Sequence, residues 1–392
     1  MYVTRPLSTY RRSPSTLSIP APAAPYSGYL VISDEEAEAE DAYCWGLCQH
    51  KRVERLPFPQ DKILTITHPS EYQDTSSIKV LFIPVPDHPL SANRYYVIRA
   101  QGKYKGKACK CSREGDIINC CITDILGDRR PKDFNLKDLY QIFKIHSHLD
   151  GGFFARSIAP DGIPPKFLRK KGWRVRISSS NRRSFKLSEA LGLDASLRAK
   201  LPNFNFPMSR RRSPPMVVGK WYCPFIFVRE GKKVKQQMKK SMYYSMTLEQ
   251  RWEEIFTCES GEIEAGNTLT VNANVQREVV LVSGGMEASK INRIDPNGFF
   301  WFTSYNPYDR SRVSVGVSSA IVENMRWVQE AGGWAYGNQR VVRIREEVTR
   351  ESQWQRFGCY VLVESFCLRR LEGRMVLRYD FRHTDKIKYK WE

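Results

Sequence analysis

The stretch GCYVLVESFCLRRLEGRMVLRYDFRH, residues 358–383, decides the fold class. Its arms, GCYVLVESFCLRR and RMVLRYDFRH, are rich in Val, Leu, Tyr and Phe, which suit a pleated, buried surface. Between them, Glu372 and Gly373 fall where a hairpin turn needs a residue that tolerates positive φ. The reading is an antiparallel hairpin. NTLTVNANV, EVVLVSG, FFWFTS, VSVGVSSAIVE and QRVVRIREEV precede it with short turns and no intervening helix. This succession predicts an antiparallel sheet in a sandwich or partly open barrel.

Strand character also marks MVVGKWYCPFIFVREG, KILTITH, SIKVLFIPV and NRYYVIRAQGKYKG. KKVKQQMKKSMYYSM is ambiguous, since Met238, Met242 and Met246 fit a helix face or alternate strand positions. Three segments predict helices. TLEQRWEEIF has a capping box at 247–250, with Leu248, Trp252 and Ile255 on one face. FNLKDLYQIFKIH spaces Leu136, Leu139, Ile142 and Phe143 helically, and SEALGLDASLRAK offers Ser188 as N-cap. The first 33 residues read as an extended arm, and RRRSPP at 210–215 as an exposed linker. DEEAEAED at 34–41 reads as a solvated loop, with a counter-ion for the basic middle as the alternative. The expected fold is α+β, with antiparallel sheets, few helices and a β-rich C-terminal half. Its expected parts are an α+β region at 1–150, a basic connection at 151–215 and a β-rich domain at 216–392.

A hydrophobic content of 41% over 392 residues is globular rather than disordered. No apolar run approaches the ~18–20 residues that span a bilayer. The N-terminal stretch lacks a secretory apolar core, so a cytoplasmic or nuclear, non-secreted protein is expected. Its Arg5, Arg11 and Arg12 without early acids keep organelle targeting open. The ten cysteines then read as reduced thiols. The formal charge is +20, and residues 151–250 hold 22 Lys and Arg against five Asp and Glu. That concentration favours nucleic acid, anionic membrane lipid or an acidic protein as partner.

KFLRKKGWRVRISSSNRRSFK, at 166–186, is the best binding candidate. Lys170, Lys171, Arg174, Arg176, Arg182 and Arg183 would neutralise phosphates, with Trp173 stacking on a base or resting at a headgroup interface. CKCSREGDIINCC at 109–121, with CWGLC at 44–48, raises metal binding. Structural zinc favours C-x-x-C, which occurs nowhere here. No cofactor is therefore expected. Zinc through Cys44, Cys48, Cys109, Cys111, Cys120 and Cys121 stays an alternative, as does S-acylation of Cys120 and Cys121 beside a basic patch. HSHLDGG at 146–152 is short of ligands for a binuclear hydrolase and reads as a loop closing the preceding helix. YDFRHTDKIKYKWE offers His383, Asp385 and Asp380 as weak acid–base candidates without a visible nucleophile.

The chain also resembles a plant family known as a domain of unknown function (DUF1262). MYVTRPLSTYRRSPS, SGYLVISDEEAEAE, CWGLC, LPFPQDKIL, FIPVPDHPLSANRYYVI, KWYCPFIFVREG, LEQRWEEIF, CYVLVESF and YDFRHTDKIKYKWE carry the resemblance. It implies an intracellular plant protein associated with stress or pathogen response, and no established activity or catalytic residue. It also weakens the transit-peptide reading, because the opening motif resembles part of the domain itself. The combined expectation is a binding protein with a basic surface for an anionic partner. The alternatives are an enzyme of plant specialised metabolism with a small-molecule pocket in the β-rich half, and a peripheral membrane protein.

Overall fold

The computed structural model describes residues 1–40, 42–43, 48–49, 52–69, 77–120, 123–178, 186–260, 268–290, 294–305, 311–334, 339–350 and 353–392. The hairpin forms as its sequence predicts. Strands Arg356–Arg370 and Met375–Trp391 pair antiparallel around a turn in which Gly373 has φ 90°. Both faces of Arg356–Arg370 are buried almost throughout, so apolar residues run consecutively instead of alternating. Its other neighbour is the seventeen-residue strand Tyr243–Glu259. From edge to edge the main path of this sheet runs Gly28–Ile32, Tyr2–Pro6, Met216–Pro224, Tyr243–Glu259, Arg356–Arg370, Met375–Trp391, Glu278–Val282 and Met286–Glu287. The short strand Gly192–Leu193 adds to Met216–Pro224.

A second, seven-stranded sheet runs Phe153–Ser157, Ile142–Ser147, Arg94–Arg99, Ile78–Pro84, Leu64–Thr67, Arg174–Ile177 and Arg52–Val53. One face, with Leu81, Ile83, Tyr96 and Ile98, shares a core with the first sheet and the helix Ser319–Ala331. The other face packs Phe82, Tyr95, Val97, Phe143 and Phe153 against Cys109, Cys111, Leu168 and Trp173. Smaller sheets complete an antiparallel, β-rich α+β fold in which, among the described residues, none of the sheets closes into a barrel.

The strand pairings do not follow boundaries at 150 and 215. The hairpin Ile142–Ser147 with Phe153–Ser157 spans residue 150, and Arg174–Ile177 pairs with Leu64–Thr67. The N-terminal arm is instead the inserted strand Tyr2–Pro6, parallel to Gly28–Ile32 and antiparallel to Met216–Pro224. Met1, Tyr2 and Val3 are buried, and the Tyr2 hydroxyl donates to the Pro84 carbonyl at 2.7 Å. The acidic run forms the helix Glu35–Glu40 rather than a loop. Among the described residues, its carboxylates pair with Arg11, Arg12 and Lys62 rather than with the basic middle.

Two of the three predicted helical segments are strand or turn. TLEQRWEEIF lies inside Tyr243–Glu259, because Leu248 and Trp252 are four apart, a spacing that also puts both on one strand face. Ile255, which completed the helical pattern, sits at a bulge between Glu254 and Phe256. FNLKDLYQIFKIH becomes the 3-10 turn Leu139–Gln141 and the strand Ile142–Ser147, with Leu139 exposed. HSHLDGG is then a hairpin turn, with Gly151 and Gly152 at positive φ. In SEALGLDASLRAK the helix is shorter, Ala195–Lys200, and Asp194 rather than Ser188 caps it by accepting from Leu197 N. Helices that the sequence pattern did not flag include Leu7–Arg12, inside the expected arm, and the longer Ser319–Ala331, which buries Ile321, Met325 and Val328 at helical spacing.

Candidate anion-binding cleft

Cys109 and Cys111 belong to the core on the outer side of the seven-stranded sheet, each only 1% exposed. Cys109 N donates to Val97 O and Cys111 N to Tyr140 O, both at 2.8 Å. Lys110 lies between the two buried thiols and lines a cleft of 240 Å³. Cys111, Arg113 and Asp116 contribute from the same segment, and Arg129, Arg130 and Lys132 from the next. Backbone pairing explains why two stretches of like charge lie side by side. Ala108 and Lys132 exchange backbone hydrogen bonds at 2.8 and 2.9 Å. The buried Ser112 hydroxyl donates to Gly127 O and accepts from Arg129 N, tying the segments again. Ser112 and Arg113 pair in turn with Ile163 and Gly162.

The lining carries five cations and one carboxylate. Asp116 accepts from Arg113 N at 2.8 Å and from Arg129 Nε at 2.7 Å, and also from Arg129 Nη2. The Arg129 guanidinium, helped by Arg113 N, holds the Asp116 carboxyl down at about 2. Lys110 pairs with Asp138 at 2.6 Å. Among the described residues, Arg113, Arg130 and Lys132 have no carboxylate within ion-pair distance. Arg113 lies 4.7 Å from the centre of the Tyr140 ring, whose hydroxyl donates to Asp161 at 2.8 Å. The cleft thus presents fixed positive charge, with the buried Cys111 at its wall.

None of the described residues expected from 166–186 lines this cleft. Lys166 N donates to both Asp128 oxygens at 3.0 Å, next to Arg129. Lys170 and Lys171 are exposed. Arg174 and Arg176 are exposed on either side of buried Val175, and Arg176 is paired with Arg52. Trp173 is a correction. It is fully buried among Phe58, Phe82 and Phe153, with Nε1 donating to Leu168 O at 2.9 Å, so it cannot stack on a ligand. Arg182 and Arg183 lie outside the described residues.

Burial pushes the Cys109 thiol up to about 12 and the Cys111 thiol up to about 11. Both therefore stay protonated at neutral pH. Among the described residues, no three His, Cys, Asp or Glu side chains gather to hold a metal ion. The side chains of Cys44, Cys48, Cys120 and Cys121 fall outside the described residues.

The acid–base candidates do not converge. His383 is fully buried, with Nε2 3.1 Å from Gln329 Oε1 and 3.6 Å from Glu364 Oε2. Asp380, buried three residues away, binds Arg251 at 2.9 Å, Ser365 at 2.6 Å and Arg378 at 2.8 Å. Asp385 is exposed, where Met375–Trp391 bulges between the partners of Leu362 and Val361. None of the three lines the cleft.

Sequence reasoning missed Lys110, Arg113, Arg129, Arg130 and Lys132. A signal was present in DRRPKD at 128–133 and in a lysine flanked by two thiols. Only the pairing of the two segments adds them into one site. No helix among the described residues is long and apolar enough to cross a membrane.

No curated protein matches the chain. One matching solved structure is described as the crystal structure of Cry35Ab1. It is 12% identical, with a TM-score of 0.47, over 85% of this chain and 90% of that one. A likeness at that level carries no functional argument. Residues 23–122, which supply Lys110, Arg113 and Asp116 to the cleft, match the family described as Protein of unknown function (DUF1262).

Proposed function

We propose that this is a non-enzymatic binding protein that takes an anionic partner on its basic surface, centred on the cleft. The observation that supports it most directly is the convergence of five cations and one carboxylate on 240 Å³. Like charges crowded in this way destabilise one another, and an anion relieves that repulsion. Lys170, Lys171, Arg174 and Arg176 extend the positive surface outward, where they would steer an anion toward the cleft. The same reading places the protein in the cytosol or nucleus of a plant cell, in a stress or defence response, on the strength of the sequence resemblance. The test is retention on a sulfated-polysaccharide column over a salt gradient. R130E/K132E should elute at clearly lower salt than the unaltered chain, and R174E/R176E should shift less. Equal elution of R130E/K132E and the unaltered chain would overturn the reading.

A further inference from the structure

We infer that the occupant of the cleft is a compact terminal phosphate group, carried by a soluble polyphosphate or a lipid headgroup, and that Asp116 competes with it for Arg129. This rests on the anion-binding reading and narrows it. The first argument is size. A cleft of 240 Å³ falls below the roughly 300–1,000 Å³ that takes drug-sized organic ligands. It suits a small group of high charge density. A nucleic-acid backbone instead spreads its charges and needs a row of separated cations.

The second argument is donor geometry. Arginine presents a planar fork of N–H groups that matches phosphate oxygens in pairs. Arg113, Arg129 and Arg130 bring three such forks to one cleft, with Lys110 and Lys132 as point charges.

The third argument is Asp116 itself. Its carboxylate takes a paired contact from the Arg129 fork and a third bond from Arg113 N. Those donors are the set that an incoming oxyanion would use. Asp116 closes the single 3-10 turn Glu114–Asp116, so it can leave Arg129 through a local rotation without disturbing the core. The bound anion exchanges for the carboxylate at Arg129, and no covalent bond changes. Asp116 therefore sets the affinity by competition.

The experiment is calorimetric titration of the full chain with inorganic pyrophosphate, inositol hexakisphosphate and a single-stranded oligonucleotide, paired with sedimentation on vesicles containing phosphatidylinositol bisphosphate. Saturable one-to-one binding of a polyphosphate is expected, weakened about tenfold or more in R130Q/K132Q. D116N should tighten it about fivefold, the effect of one charge a few ångströms away at a solvated site. E114Q removes the same charge from the same turn without freeing Arg129, and should change affinity far less. Co-sedimentation that inositol hexakisphosphate competes away identifies a lipid source, and polyphosphate binding without co-sedimentation a soluble one; either supports the inference. Unchanged or weaker binding in D116N, in protein that melts as the unaltered chain does, overturns the role of Asp116. Oligonucleotide binding that R130Q/K132Q weakens, with neither polyphosphate bound, overturns the inference and leaves the anion-binding reading standing. If no probe binds, both fall.

Discussion

Replacing Arg198 should cost far more than replacing Arg198 and its partner together. Arg198, in the helix Ala195–Lys200, reaches Glu364 in the central strand through Nε at 2.9 Å and Nη2 at 2.5 Å. Its Nη1 donates to Val328 O at 2.8 Å, in the helix Ser319–Ala331. Gln250 Nε2 bonds Glu364 at 2.8 Å and Arg198 O at 3.1 Å. The Arg198 and Glu364 side chains are 10% and 1% exposed, so solvent cannot replace either partner. Removing one member of such a pair strands a buried charge and costs about 3–5 kcal/mol. Apolar side chains at both positions avoid that penalty, and the exchange is often neutral. Arg198→Met and Glu364→Leu should each fall in the 3–5 kcal/mol range, and R198M/E364L should lose about 2 kcal/mol or less. Urea unfolding followed by tryptophan fluorescence measures all three. The pH dependence gives a second reading. Burial alone would raise the Glu364 carboxyl, but His383 and Arg198 outweigh it and hold the group well below its ordinary 4.5. Its stabilisation is complete above about 4.5 and is lost as pH falls toward the depressed folded value. The deficit of Glu364→Gln should therefore narrow as the solution is acidified. Additive losses in the double variant, or a deficit that stays constant into acid, would refute the reasoning.

Two further outcomes follow from the turn and the buried thiols. A Cβ at Gly373 would meet no neighbour within 4 Å, so the cost of Gly373→Val is chiefly backbone: φ is 90°, and a β-branched residue there should destabilise by about 1–2 kcal/mol in the same urea assay. A change under about 0.5 kcal/mol would mean that the turn relaxes freely. Cys109 and Cys111, buried and pushed up to about 12 and about 11, should resist iodoacetamide in the native protein and react once it is unfolded. Peptide mass mapping reads this directly, and rapid native labelling of either would place a thiolate where the fold puts a core residue.

The hairpin at 358–383 was legible because turn chemistry and strand composition agree there. TLEQRWEEIF was not, for a geometric reason. Residues i and i+4 share a face in both a helix and a strand, so Leu248 and Trp252 cannot distinguish the two. The capping box was no better guide, since Thr247 Oγ1 bonds the Glu249 side chain at 3.0 Å within the strand. Pairing with Arg356–Arg370 on one side and Met216–Pro224 on the other overrode local preference. The opposite error hid Ser319–Ala331. Its Ala320, Ile321 and Val322 continue the composition of the strand before it, and only Met325 and Val328 reveal the helical period.

The cleft shows the same limit for function. Net charge located positive potential in 151–250, but potential adds in space and not along the chain. DRRPKD and CKCSREGD are modest in sequence. They become one site because Ser112 and Ala108 bind the backbone of the second segment. The CKC that looked like a metal box divides its chemistry by burial. Both thiols are buried and kept protonated, Cys111 at the wall of the cleft, and the lysine between them supplies the cleft with charge. Trp173 is the converse case. Among the nine cations of 166–186 it reads as a stacking platform, yet its indole N–H is spent on Leu168 O inside the core. A residue flanked by charge in sequence is thus no guide to the face it occupies, whereas one whose hydrogen-bond partner is fixed by a neighbouring turn is already committed. Asp116 differs, because its side-chain partner Arg129 itself lines the cleft, and the D116N titration measures what that carboxylate costs an incoming anion.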